Sequence, residues 1–277
     1  MFLPPLNTTP FRAPNEELPR REFSGRLGAF LDRLDATPDP RLYAWTDSSG
    51  TGDPKLALLA GCIAQDLTIA ATARLLRELR ERLGPALLSP WTLRQDILAS
   101  SCQLPWLSQW PHRDSLPGWI TATGDLLREH PDPSLWSRQW PAPRDFVRTL
   151  ALRIPWMGRK SADRVKGWRL ARWLVRGEGL QAPLWPGEAR ASLRLPSPVL
   201  STPLGWFHLL PPAWDSRTPR ERQEWTDAIV SELRPDDPAS AWPPLETILR
   251  RGRTDSRCAE LLGGCERCPL HSDCKEH

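Results

Sequence analysis

The stretch Cys258–Cys274, CAELLGGCERCPLHSDC, decides how this chain is read, because it gathers four of the six cysteines of 277 residues into seventeen positions. The spacing is C-x6-C-x2-C-x5-C, on Cys258, Cys265, Cys268 and Cys274. Thiols packed this closely form either disulfides or a metal ligand set, and the redox compartment decides between them. The N-terminal MFLPPLNTTPFRAPNEELPRREF has no apolar run of signal-peptide length, and no stretch approaches the roughly 18 apolar residues of a membrane helix. The expectation is a cytoplasmic protein in which these cysteines bind metal. Zinc sites usually pair two C-x2-C knuckles, each presenting two thiolates at tetrahedral angles. One knuckle with two outlying cysteines suits a [4Fe–4S] cube, whose corners take ligands from separate turns. Spacing alone leans to the cube and leaves zinc open.

Upstream of the cysteines the chain is globular in composition, with 40% hydrophobic residues in 31.4 kDa, enough for one large domain or two small ones. A net charge of +4 is mild, so the distribution of charge matters more than its sum. Between Arg153 and Arg176 eight basic residues (Arg153, Arg159, Lys160, Arg164, Lys166, Arg169, Arg172, Arg176) face one acid, Asp163. Such a run is ordinarily a solvated helix face, and on a polyanion-binding protein it is the phosphate footprint. Most of the fifteen tryptophans are assigned to the core by default, with Trp156 the one considered for exposure.

Helical periodicity dominates. Leu27, Phe30, Leu31 and Leu34 fall three and four apart within Phe23–Leu34, as one helix face requires. A turn-rich linker then ends at Asp53-Pro54, a capping residue followed by the proline favoured at the first helical position. Lys55–Leu83 is read as nearly continuous helix, buried all round at first and amphipathic later, until Gly84-Pro85 stops it. Further helices are expected at Trp91–Ser101, Trp119–Glu129, Phe146–Leu152, Arg220–Leu233 and Leu245–Arg251. Gly177–Gly205 is read as a long Gly- and Pro-rich loop with one strand-like segment at Ala191–Leu195. Cys62 and Cys102 read as buried core thiols.

Three segments standing in order resemble the endonuclease III and adenine glycosylase family of DNA repair enzymes. The C-terminal cysteines are similar to that family's cluster loop. Ile154–Ala162, IPWMGRKSA, resembles its helix-hairpin-helix segment L-P-G-V-G-R-K-T-A, and Ala60–Thr68, AGCIAQDLT, resembles the segment ending in S-A-Q. Arg250-Arg251-Gly252-Arg253 is similar to the H-G-R before the first cluster cysteine, with two extra residues. The resemblance spans about Asp53 to Cys274 and decides for a [4Fe–4S] cluster on Cys258, Cys265, Cys268 and Cys274.

The resemblance implies an all-α, two-domain helix-hairpin-helix glycosylase fold with a C-terminal [4Fe–4S] loop. Residues 53–176 would form a six-helix barrel carrying the hairpin, and residues 1–52 with 177–277 a discontinuous cluster domain. It implies double-stranded DNA as partner, bound largely without regard to sequence by a monomer that does not associate with membrane and sits on the nucleoid if bacterial. The hairpin residues Trp156, Met157, Gly158, Arg159, Ser161 and Arg164 would contact DNA, the N-terminus of the second helix offering N–H groups to a phosphate. Trp156 stands where the family has its first hairpin glycine. Gln65 would enter the gap left by a flipped base, with Gln103 or Leu104 as the nearest candidate for a wedge from the opposite strand.

Lys160 falls on the lysine that in bifunctional members attacks the sugar C1′, the chemistry of base excision with AP-lyase strand cleavage. Such an amine must be neutral to attack, and neighbouring cations such as Arg159 and Arg164 favour the neutral form. Val199–Phe207, VLSTPLGWF, is the text closest to the family's V-D-T-H-like segment and puts Ser201 at the catalytic aspartate. A serine carries no charge with which to stabilise the cationic sugar. Glu178, Glu188 and Asp215 are carboxylates that a shifted alignment would offer instead. Two functions therefore stand open: a glycosylase acting on a flipped damaged or modified base, and a DNA-binding relative, non-catalytic or differently catalytic, that has lost the aspartate.

Overall fold

The computed structural model describes residues 17–33, 52–64, 67, 69–157, 164–206, 209–246, 248 and 270. Among them the regular structure is helical, α and 3-10, without a strand. The chain divides into a continuous unit, Pro38–Leu193, and a discontinuous one that joins Met1–Thr37 to Arg194–His277.

The continuous unit is built around one apolar helix. In the discontinuous unit α1 spans Glu17–Arg33, and the central helix of the continuous unit, α2, spans Pro54–Ile63. The Asp53 carboxylate accepts the Lys55 N–H at 2.8 Å while Pro54 takes the first position, so the start follows from the sequence chemistry. Every residue from Leu56 to Ile63 is buried. The helix ends at Ile63 and the next, α3, spans Ile69–Leu83, so the run expected to be one helix is two. The polar text QDLT between them supplies the reason, since Asp and Thr compete for backbone bonds and favour helix starts over interiors. On α3 the apolar face of Leu75, Leu76, Leu79 and Leu83 is buried.

Around α2 are packed α5 (Leu116–Glu129) and α8 (Val165–Arg176), with α4 (Gln95–Ser101), α6 (Trp136–Gln139) and α7 (Pro143–Arg153) completing the unit. Close approach depends on small residues. A Cβ on Gly61 would stand 3.0 Å from both Leu170 methyls, and one on Gly124 would stand 2.3 and 2.4 Å from Cγ and Cδ of Pro90. Gly124→Ala is therefore expected to destabilise by about 2 kcal/mol, an overpacking cost partly offset by alanine's helix propensity. Gly118→Ala, on the same helix with open space around its Cβ, should instead stabilise by roughly 0.5 kcal/mol. Urea midpoints of the two variants check both signs.

Residues 177–193 belong with this unit, although the resemblance placed the boundary at 176. The Trp185 indole N–H donates to the Trp140 carbonyl at 2.8 Å, and its ring lies 5.6 Å from that of Phe146, which is itself 5.3 Å from Trp140. The strand-like segment Ala191–Leu195 is not a strand. Gly187–Ser192 forms a 3-10 turn, Leu193 is extended, and Pro196 removes a donor that a ladder would need. The expected loop also contains a helix, α9 (Ser197–Trp206), with Pro203 inside it.

In the discontinuous unit α1 packs on α10 (Pro219–Leu233) through Phe23, Leu27, Phe30 and Leu31, all buried. The Ser24 hydroxyl donates to Glu232 at 3.1 Å, and Arg234 pairs with Asp32. Thr218 and Glu221 form a reciprocal capping box at the start of α10. Buried Gln223 fastens the chain entering α9: its amide donates to the Leu195 carbonyl at 2.9 Å and accepts the Ser197 N–H at 3.0 Å. Residues 242–246 form one further helical turn, with Trp242 and Leu245 buried. No described helix is long and apolar enough to cross a membrane.

Candidate nucleic-acid interface

The quoted segment IPWMGRKSA begins where α7 ends, and Arg164 opens α8. The two helices pack on each other across Gly167, where a Cβ would meet Cγ1 of Val147 at 2.9 Å. The first turn of the connection alternates its burial. Ile154 and Met157 are buried and joined by a 3.4 Å bond from the Met157 N–H to the Ile154 carbonyl, while Pro155 and Trp156 are exposed. The Met157 side chain is thus part of the core, and the expectation that it contacts DNA fails for that side chain. Gly158, Arg159, Lys160 and Ser161 lie outside the described residues.

Two backbone positions here are left-handed without being glycine: Trp156 at φ 68° and Arg164 at φ 44°. The first coincides with the glycine that the resemblance expected, so the turn keeps the conformation a glycine would adopt freely and forces tryptophan into it. Arg164, the N-cap residue of the twelve-residue α8, makes no side-chain cap hydrogen bond to the first turn.

Trp156 does not stand alone. Its ring lies 5.1 Å from that of His112 at 54°, and His112 lies 5.6 Å from Trp119 and 5.9 Å from Trp110. Trp119 and Trp110 are buried, so this chain of rings leads from the core to the surface. His112 had no place in the reading of the sequence; its neighbour Trp156 is far along the chain, and no spacing pattern connects them.

The basic run is smaller in the fold than in the sequence. Arg153 donates to Glu129 at 2.9 Å and holds its carboxyl below the usual carboxylate range. Arg172 and Arg176 each lie 3.1 Å from Glu178. Three of the eight cations are thus paired with acids within the protein, while Arg159 and Lys160 lie outside the described residues and Arg164, Lys166 and Arg169 are half-buried. Glu178 is thereby committed to structure and not to catalysis. Glu188 is exposed in the Gly187–Ser192 turn, and Asp215 is exposed in the Trp214–Ser216 turn, where its carbonyl accepts from Arg222 at 2.8 Å.

Ser201 is buried on α9, within the discontinuous unit. Gln65 lies outside the described residues. Leu104 is buried and so cannot serve as a wedge, whereas Gln103 is exposed. Cys62 and Cys102 are core thiols as expected: burial pushes each up to about 12, which keeps both protonated and unreactive. The four clustered cysteines lie outside the described residues, and among the described residues no group of three or more His, Cys, Asp or Glu is placed to hold a metal. No family model, curated protein or solved structure matches this chain.

Proposed function

We propose that the chain is a helix-hairpin-helix DNA glycosylase with AP-lyase chemistry at Lys160, acting as a cytoplasmic monomer on a damaged or modified base flipped from double-stranded DNA. The observation that carries the reading is that IPWMGRKSA connects two helices, α7 and α8, packed closely across Gly167, in a stretch whose sequence holds Arg159, Lys160, Arg164 and Lys166 against the single acid Asp163. Supporting it, the N-cap residue of α8 is a cation, Arg164, that makes no cap bond of its own, an arrangement suited to a phosphate oxygen.

In this reading the N-terminus of α8 and Arg164 hold the backbone, Gln65 fills the space vacated by the flipped base, and Lys160 attacks C1′. The nitrogen lone pair of Lys160 forms the new bond as the base leaves with the glycosidic pair. The attached nitrogen loses a proton, the C1′–O4′ bond opens with O4′ taking a proton to leave the iminium, and loss of a C2′ proton to a base then expels the 3′ phosphate. Cys258, Cys265, Cys268 and Cys274 would hold the [4Fe–4S] cluster: four thiols within seventeen positions, at spacings that suit a cube. The cluster would fasten the C-terminal loop.

Borohydride trapping of anaerobically purified protein on a duplex with one abasic site tests the function. A covalent adduct supports it; duplex binding with no adduct favours the second reading, a DNA-binding relative without lyase chemistry. That second reading has its own observation, the uncharged and buried Ser201 where an aspartate is expected. A further prediction concerns the loop: Cys265→Ala should lose most of its iron and lower the melting temperature, as iron analysis and calorimetry would show. Iron equal to wild type would remove Cys265 from the ligand set.

A further inference from the structure

We infer that Trp156, backed by His112, is a stacking platform that receives the face of an unstacked base, so that the protein prefers interrupted duplexes to intact ones. The inference rests on the DNA reading above and adds to it the kind of site that is sought. Trp156 is 59% exposed, more than any other large apolar side chain described. Most of the described tryptophans are buried, so the exposure is not a habit of this composition. Its backbone is held at φ 68°, a conformation that costs a tryptophan energy and that no burial of the ring repays.

The ring is also supported from behind. His112 at 5.1 Å bridges it to buried Trp119, so the platform is fixed to the core while much of its surface stays in water. An indole held this way offers a flat, polarisable surface. In sequence it is followed by Arg159, Lys160, Arg164 and Lys166 against the single Asp163. A cationic segment led by an exposed aromatic ring matches a polyanion that carries π faces, which is nucleic acid, and it opposes an apolar peptide. Within paired duplex each base face is already covered by its neighbours. Only at an abasic site, bulge or mismatch can an added ring gain a stacking contact, and the energy of that contact becomes selectivity.

The test is fluorescence anisotropy with two labelled duplexes, one intact and one with a single abasic site, in a Lys160→Ala background that leaves the strand uncut. A 2-aminopurine opposite the abasic site reports stacking by its quenching. The parent protein should favour the interrupted duplex, and Trp156→Ala should lose that preference by about tenfold, keep intact-duplex affinity within about twofold and relieve the quenching. Trp156→Phe should restore most of both signals. Trp156→Gly, which suits the backbone, should behave as the alanine variant and thereby separate the ring from the turn. Equal weakening on both duplexes, or a preference and quenching that survive in the alanine variant, overturns the inference while leaving DNA binding in place. Absence of binding to either duplex by the parent protein overturns the DNA reading and the inference with it.

Discussion

Lys160→Ala is expected to abolish the borohydride-trapped adduct on abasic duplex completely while weakening duplex affinity by less than about tenfold, the loss of one phosphate contact. The separation of the two effects is the argument. A lysine that merely neutralised phosphate would be replaced by arginine with little loss, because both carry a positive charge. A nucleophile cannot be replaced in this way, since the guanidinium stays protonated and has no free lone pair. Lys160→Arg should accordingly bind like wild type and trap nothing. The chain makes this experiment unusually clean: it contains four lysines, Lys55, Lys160, Lys166 and Lys275, among 37 basic residues. Where arginine is so strongly preferred, a lysine beside Arg159 marks a position at which an amine is chemically useful. Trapping that persists in the alanine variant would transfer the role to another amine, with Lys166 the first to examine.

Glu178→Ala should be the most destabilising of the single substitutions considered, costing about 3–5 kcal/mol. Arg172 reaches Glu178 from α8 with a side chain only 4% exposed, and Arg176 meets the same carboxylate from the last turn. Removing the carboxylate strips the buried guanidinium of its counter-charge in a place that water does not reach. Gly177 sets up the contact. At φ 73° it ends α8, and the Glu178 N–H donates back to the Trp173 carbonyl at 2.9 Å, which turns the carboxylate toward the two arginines. Glu178→Gln, which keeps an acceptor, should cost less than the alanine variant. Replacing Arg172 with methionine and Glu178 with leucine together should recover much of the loss, because the apolar pair has no desolvation cost. Urea unfolding of the set checks the order, and a loss below about 1 kcal/mol for the alanine variant would mean that solvent reaches the site.

The all-α class was legible wherever a local rule had no competitor. Asp53-Pro54 started its helix on schedule, the α1 stripe of Leu27, Phe30 and Leu31 was buried as its period required, and the helix read at Arg220–Leu233 formed one residue early. Errors arose where distant partners decided. Nothing near Trp185 in the sequence announces the Trp140 carbonyl that anchors it, so residues 177–193 read as a free loop. The split between α2 and α3 was hidden because both flanks are strong helix formers and the interruption is short. At the site, charge counting overstated the footprint, since one acid, Glu178, silences two arginines from beyond the basic run. The burial of Met157 and the ring support from His112 depend on the geometry of a four-residue turn and a contact across the fold, which one-dimensional pattern does not carry.

The pairing of α1 with α10 sets a schedule for synthesis. Phe23, Leu27, Phe30 and Leu31 leave the ribosome early, yet the helix that covers them follows roughly 190 residues later, a delay of about ten to forty seconds at ordinary translation rates. During that interval the continuous unit can complete its core, whereas α1 presents an uncovered apolar stripe to solvent. A holdase chaperone would meet that stripe on nascent chains, and moving the α1 segment to follow α10 by circular permutation would remove the wait without altering either helix.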